Sequence, residues 1–291
     1  MNSEKLSPYF FLIPALAFFS VFLAFPIAFN VYVSFFKWKG LGQPTDFIGV
    51  GNYAFFLQDP DALRSIQNTL IWVAGMVSAP VVLGLLIAVL VDARVKGEVL
   101  FKSIFFLPYT ISAVATGVLW EWMYYPSYGA LNTILRGLGL EFLARPWLAS
   151  PPTNTLAMMA ALGWSQVGFS MVIFLAGLRS ISPELVEASK VDGLSSWQTF
   201  RHVAFPLLTP FTTVVVAMSL LNTLKVFDII FVMTGGGPYF SSETLAVTMY
   251  RVTFQTFGFG YGSAVANVLF LIVVVVTVLF IRAMFRQEIR Y

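Results

Sequence analysis

The sequence has no cysteine and a single histidine, His202, in 291 residues. Disulfides and cysteine metal sites are thereby excluded, and one imidazole cannot build a histidine metal cluster. Charge is scarce as well: Asp, Glu, Lys and Arg make up 11% of the chain, against about 25% in an ordinary soluble domain. No carboxylates cluster, no G-x4-G-K-[ST] phosphate loop occurs, and no clear internal repeat is present. No catalytic residue and no metal site are expected from so little material. What fills the chain is apolar: 58% hydrophobic residues, 30 of them Phe, with a mean hydropathy of +0.82. So few charges cannot coat a core of that size, which makes lipid the solvent. The net charge of +3 does not point to nucleic acid, because the basic residues stand singly at the ends of apolar runs, the habit of cytoplasmic loops.

A membrane-spanning helix needs about 20 mostly apolar residues. Six segments reach that length, at roughly 9–36, 67–92, 100–125, 154–178, 206–234 and 262–284. They predict an all-α polytopic membrane protein. The first stretch exceeds the roughly 7–15 apolar residues of a signal peptide and lacks a small-residue cleavage site. It reads as a retained membrane helix, with Pro14 and Pro26 as candidate bends. An even number of spans leaves both ends on one side. The N-terminus, second and fourth loops and C-terminus carry Lys5, Arg94, Lys96, Lys102, Arg179, Lys190, Arg201, Arg282, Arg286 and Arg290. The other loops, longer in total, carry only Lys37, Lys39, Arg64, Arg136, Arg145 and Arg251. This bias predicts that both termini are cytoplasmic. The chain then divides into a first span with its outer loop, 1–66, and a five-span core, 67–284. The core contains a cytoplasmic loop at 179–206, and a cytoplasmic tail, 285–291, follows.

That loop carries local structure signals. Ser182-Pro183-Glu184 has the form of a helix start: a serine cap, proline at the first helical position and an acid at the positive end of the dipole. Leu185, Ala188 and Val191, with Val186 beside them, form a weak apolar stripe along the helix that follows. Gly193 then breaks that helix, and Ser195-Ser196-Trp197-Gln198 has the form of a capping box opening a second helix toward Pro206. On periodicity alone, two readings stand open: an amphipathic helix lying on the membrane surface, or a docking knob. The spacing Glu187-Ala188-Ser189, then Gly193, then Val203-Ala204-Phe205-Pro206 resembles the EAA loop of ABC importer permeases. It departs from that pattern conservatively at Ser189, Val203 and Phe205. The resemblance implies that Glu187, Ala188, Ser189, Asp192, Gly193 and Pro206 belong to the surface that meets an ATPase, with Glu187 pairing a basic residue there.

Further segments narrow the resemblance. They are Phe105-Phe106-Leu107-Pro108, Trp120-Glu121-Trp122, Pro126-Ser127-Tyr128-Gly129-Ala130-Leu131-Asn132, Thr234-Gly235-Gly236-Gly237-Pro238, Ser242-Glu243-Thr244 and Phe259-Gly260-Tyr261-Gly262-Ser263-Ala264. Their order along nearly the whole chain is similar to that of the carbohydrate-uptake permeases that import maltose, other oligosaccharides or glycerol-3-phosphate. The implied fold is the six-helix type I ABC importer permease, without the additional N-terminal helices and large outer domain of the maltose subunit. The implied protein is a non-catalytic subunit in a prokaryotic inner membrane, moving a sugar. Its implied partners are a sister permease, two ATP-binding subunits that hold ATP and Mg, and an external solute-binding protein. This chain itself holds no cofactor.

Polar residues inside spans mark the candidate path, since charge at membrane depth is costly. In the fifth span, Asn222 and Lys225 are three apart, as are Lys225 and Asp228, so that these residues with Thr223, continued by Ser219, can share one helix face. The fourth span offers Trp164, Ser165, Gln166 and Phe169, hydroxyls, amides and aromatic faces of the kind that hold sugars. The resemblance places the maltose permease's substrate contacts near Ser165, Gln166, Phe169, Ser219, Asn222, Thr223 and Asp228. A structural reading stands beside each: Lys225 and Asp228 neutralising each other or pairing with the sister subunit, and Trp164 and Phe169 as helix packing. Glu121 lies near the outer end of the third span, as a contact for the binding protein, a residue of the outer gate or a solvated helix end. An ion-gradient-driven secondary transporter, using Lys225 and Asp228, is the alternative function.

Overall fold

The computed structural model describes residues 3–92 and 97–288, with side-chain surroundings from residue 11 to 284. Arg94, Lys96 and Arg290, counted above in the charge bias, lie outside the described residues, as do residues 289–291 of the tail and the side chains of Lys5 and Arg286. In chain order the α-helices are α1 (Ser3–Phe19), α2 (Phe25–Val33), α3 (Gly51–Gln58), α4 (Pro60–Asp92), α5 (Glu98–Phe106), α6 (Ala113–Met123), α7 (Ala130–Gly137) and α8 (Thr153–Ser180). There follow α9 (Pro183–Val191), α10 (Ser196–Thr199), α11 (Phe205–Leu207), α12 (Thr209–Leu224), α13 (Asp228–Met233), α14 (Leu245–Tyr250) and α15 (Phe259–Glu288). No strand occurs among the described residues; an isolated bridge joins Phe36 and Phe47.

Four helices are long and apolar enough to cross a membrane alone: Phe11–Val33, Pro60–Asp92, Thr153–Ser180 and Phe259–Met284. Counting each of two bent pairs as one span brings the total to six, the number read from hydropathy. The bend in the third span corrects the expectation of one straight helix there, whereas the other falls near Pro206, where the fifth span is expected to begin. The third span turns by 101° between Glu98–Thr110 and Ala113–Met123. Pro108 sits in a short 3₁₀ turn, Ile111 is extended, and the Ser112 hydroxyl accepts from Ala115 N at 3.2 Å to start α6 afresh. The fifth span bends by 65° between Ser196–Leu207 and Thr209–Leu224. It is then interrupted a second time: α12 stops at Leu224, and α13 begins at Asp228. The Val226 carbonyl in the gap accepts a hydrogen bond from Thr244 Oγ1 at 2.8 Å.

The chain forms two compact units, Met1–Leu63 with Thr248–Ile272 and Arg64–Val247 with Val273–Tyr291. The first unit is tied by amides and hydroxyls. Asn30 Nδ2 donates to Asn267 Oδ1 at 2.8 Å, Asn267 Nδ2 donates to Tyr53 Oη at 3.0 Å, and Tyr53 Oη meets Ser34 Oγ at 2.7 Å. The second unit is organised around α8. One end of α8 puts Met158 and Ala161 among Trp72, Ile229 and Ile230, and the other puts Met171 and Phe174 among Ala88, Val91 and Val215. Backbones approach closely there: a Cβ built on Gly168 would lie 2.2 Å from the Phe105 carbonyl oxygen. Small residues permit such contacts between membrane helices, where packing rather than hydrophobicity drives association.

Candidate coupling knob and translocation path

The 181–206 segment folds as α9 followed by a second helix that runs from α10 through a π-helical turn, Phe200–Ala204, into α11. Ser182 accepts from Glu184 N at 3.3 Å, and Pro183 occupies the first position of α9. The helix ends in a Schellman arrangement: Gly193 N donates to Lys190 O, Leu194 N donates to Ser189 O, and Gly193 takes φ +79°. Ser195 and Gln198 form a reciprocal capping box at the start of α10, at 2.8 and 3.4 Å. Ser189 is buried, and its hydroxyl lies 2.9 Å from that of Thr199, joining the two helices. Glu187, Ala188, Asp192 and Gly193 are exposed, and so are Leu185 and Val191, whereas Pro206 is half-buried. The apolar stripe therefore points away from the body of the chain, while Val186, Ser189 and Thr199 point into it. Thr199 escaped sequence reasoning: its partner is ten residues away, and no local signal pairs them.

The path residues fall into two groups. Ser165, Ser219 and Thr223 are buried. Ser165 Oγ donates to Leu162 O at 2.8 Å, and Thr223 Oγ1 donates to Ser219 O at 2.6 Å, so both hydroxyls are satisfied within their own helices. Asn222, Lys225 and Asp228 are exposed on this chain. Lys225 and Asp228 are separated by the α12–α13 gap, and neither takes part in an ion pair among the described residues. No direct ion pair thus joins Lys225 and Asp228 among the described residues. In α8, Trp164 is exposed, and Gln166 and Phe169 are half-buried. Trp164 meets Trp120 edge-on at 5.7 Å, and Phe169 stacks on Tyr109 at 5.1 Å. The two aromatics thereby grip the third span on either side of its bend. Glu121 is exposed near the end of α6. An apolar cavity of about 710 Å³, lined by Gly75, Pro80, Ile104, Met159, Gly163 and Trp164, lies between α4, α5 and α8.

A family profile described as the inner membrane component of binding-protein-dependent transport systems matches residues 80–291. The chain belongs to this family. The permease is 39% identical over 281 residues to the osmoprotective compounds uptake permease protein GgtC of Synechocystis, covering 94% of this chain and 98% of that protein. It is 35% identical over 272 residues to the multiple sugar-binding transport system permease protein MsmF of Streptococcus mutans, covering 94% and 93%. A bacterial ABC transporter that imports the acidic polysaccharide alginate shares its fold, with a TM-score of 0.83 at 23% identity over 97% of this chain and 96% of that one. The permease is accordingly a multi-pass inner-membrane subunit of an ABC importer. None of these likenesses supports an ion-gradient-driven carrier.

Proposed function

We propose that this permease carries a sugar or sugar-like solute and is driven by separate ATP-binding subunits through the Glu187–Pro206 segment. The observation that carries the reading is the knob: two capped helices locked together, with an exposed carboxylate beside an outward apolar stripe. Glu187 makes no ion pair within the chain among the described residues. Helices that rest on a membrane surface favour Lys and Arg on their polar side. The α9 helix instead has Glu184 and Glu187 against Lys190, which suits a basic cleft on a protein. The Lys/Arg bias supports a cytoplasmic position for this knob and both termini, and the family resemblance supports a prokaryotic cell.

On this reading the chain is non-catalytic and holds no cofactor; ATP and Mg belong to two ATPase subunits. A sister permease completes the path, and an external binding protein delivers the solute. Span one with its loop, 1–66, accompanies the 67–284 core. The name of one relative, a multiple sugar-binding transport system permease, supports a sugar or sugar-like solute. Trp164, Gln166, Phe169, Asn222, Lys225 and Asp228 supply its contacts, while Ser165, Ser219 and Thr223 shape the wall behind them.

The test is made on the knob. Glu187→Lys is expected to weaken ATPase association by roughly 30-fold or more, the scale for breaking a buried interfacial charge pair. Gly193→Pro forces φ to about −65° where the chain needs +79°, and is expected to abolish uptake. Both proteins are expected to insert in the membrane at normal levels. Normal uptake by both variants would sink the reading.

A further inference from the structure

We propose that Arg179 is a positioning residue that fixes the root of the knob to the ends of the second and third spans, so that movement of the knob is passed on to both. The proposal rests on the docking reading above. Arg179 lies in the last turn of α8, just before Ile181, where the chain turns into the knob. Its Nε is 3.5 Å from Asp92 Oδ1, and its Nη2 donates to Glu98 Oε1 at 2.7 Å. Lys102, one turn along α5, pairs with the same Glu98. A single guanidinium is thus shared by the acid that ends α4 and the acid that opens α5.

Helix dipoles give these positions meaning. Glu98 at the start of α5 and Arg179 at the end of α8 each sit at the favourable pole, but Asp92 sits at the negative pole of α4. Its carboxylate needs a cation, and Arg179 supplies one from a different helix. A second observation places the knob against the same spot. A crevice of about 250 Å³ is lined by Val89 and Asp92 from α4, Leu178 from α8, and Val186, Lys190 and Thr199 from the knob. The inward side of the knob therefore faces the helix end that Arg179 holds. The forked guanidinium can hold two carboxylates at once, which an ammonium does less well. Partly exposed ion pairs add little to folding stability, so fixing geometry is the property to measure.

The experiment uses the whole transporter, copurified with its ATPase and sister subunits and reconstituted in liposomes with its binding protein. Arg179→Ala and the isosteric Asp92→Asn are each expected to keep the ATPase subunits and basal ATP hydrolysis. Both are expected to lower solute moved per ATP hydrolysed on the order of tenfold, the scale of mutations along a coupling route. Arg179→Lys is expected to fall between them and the unmodified protein. A merely structural role would reduce assembly, hydrolysis and uptake together and leave the ratio unchanged. An unchanged ratio, or loss of the ATPase subunits from Arg179→Ala, overturns the proposal. Glu187→Lys run in parallel reports on docking separately: if it keeps its ATPase subunits, the docking reading itself fails.

Discussion

Ser189 stands where the loops this chain resembles carry alanine, and the extra hydroxyl has an occupation: it bridges to Thr199 and holds α9 to α10. The departure from the family pattern is therefore paired with a second residue that only the folded loop brings near. Replacing one partner of a buried hydroxyl pair costs on the order of 1–3 kcal/mol. Ser189→Ala is expected to loosen the knob by about that amount while leaving uptake measurable, since it restores the family's residue. Amide exchange of residues 183–199 in the assembled transporter checks this, and unchanged protection would refute the lock. The other residues of the knob were legible in the sequence because capping is local. Ser182, Gly193, Ser195 and Gln198 each act within a few positions of themselves.

At the scale of elements, legibility depended on whether a helix is interrupted by its own residues or by distant ones. Hydropathy finds six apolar stretches, but it cannot tell a straight span from a bent one of the same composition. Pro108 and Ser112 were visible signals for the 101° turn in the third span, muted because proline is tolerated within membrane helices. No proline or glycine marks the gap at 225–227; it is held by Thr244, 18 residues on, and sequence reading carried the helix straight through. Glycine at a close crossing is similarly silent until both helices are in place. A Cβ at position 168 would meet the Phe105 carbonyl oxygen at 2.2 Å, a backbone group that cannot swing aside. Gly168→Ala is expected to force α5 from α8 at a cost of roughly 1–3 kcal/mol. That is read as a lower unfolding temperature in detergent, and an unaltered unfolding curve would show that the crossing has slack.

At the scale of the whole molecule, polar and apolar side chains of the spans stay uncovered by this chain. Asn222, Lys225, Asp228 and Trp164 are exposed, and the first span, Phe11–Val33, has none of its apolar window buried. Surfaces of this kind call for lipid or another subunit. On the proposed reading, Asn222→Ala and Gln166→Ala each weaken solute handling by roughly 3–10-fold, the worth of one hydrogen bond. Uptake assays over a range of solute concentrations check this, and unchanged affinity and rate in both would remove them from the path.

The interruption of the fifth span has a consequence that does not depend on the solute. Sixteen residues of α12 rise about 1.5 Å each and carry the chain about 24 Å from its elbow, short of the about 30 Å hydrocarbon core. At that end the Thr223 carbonyl accepts from Val226 N at 3.1 Å, and a helix that stops leaves its other last carbonyls without a following turn. Thr244 satisfies the carbonyl of Val226 in the gap; the groups left at the helix end require water or a polar neighbour, because lipid offers none. A polar partner for these groups, water or protein, is thus a demand of the backbone itself, in force before any solute arrives and after it has left.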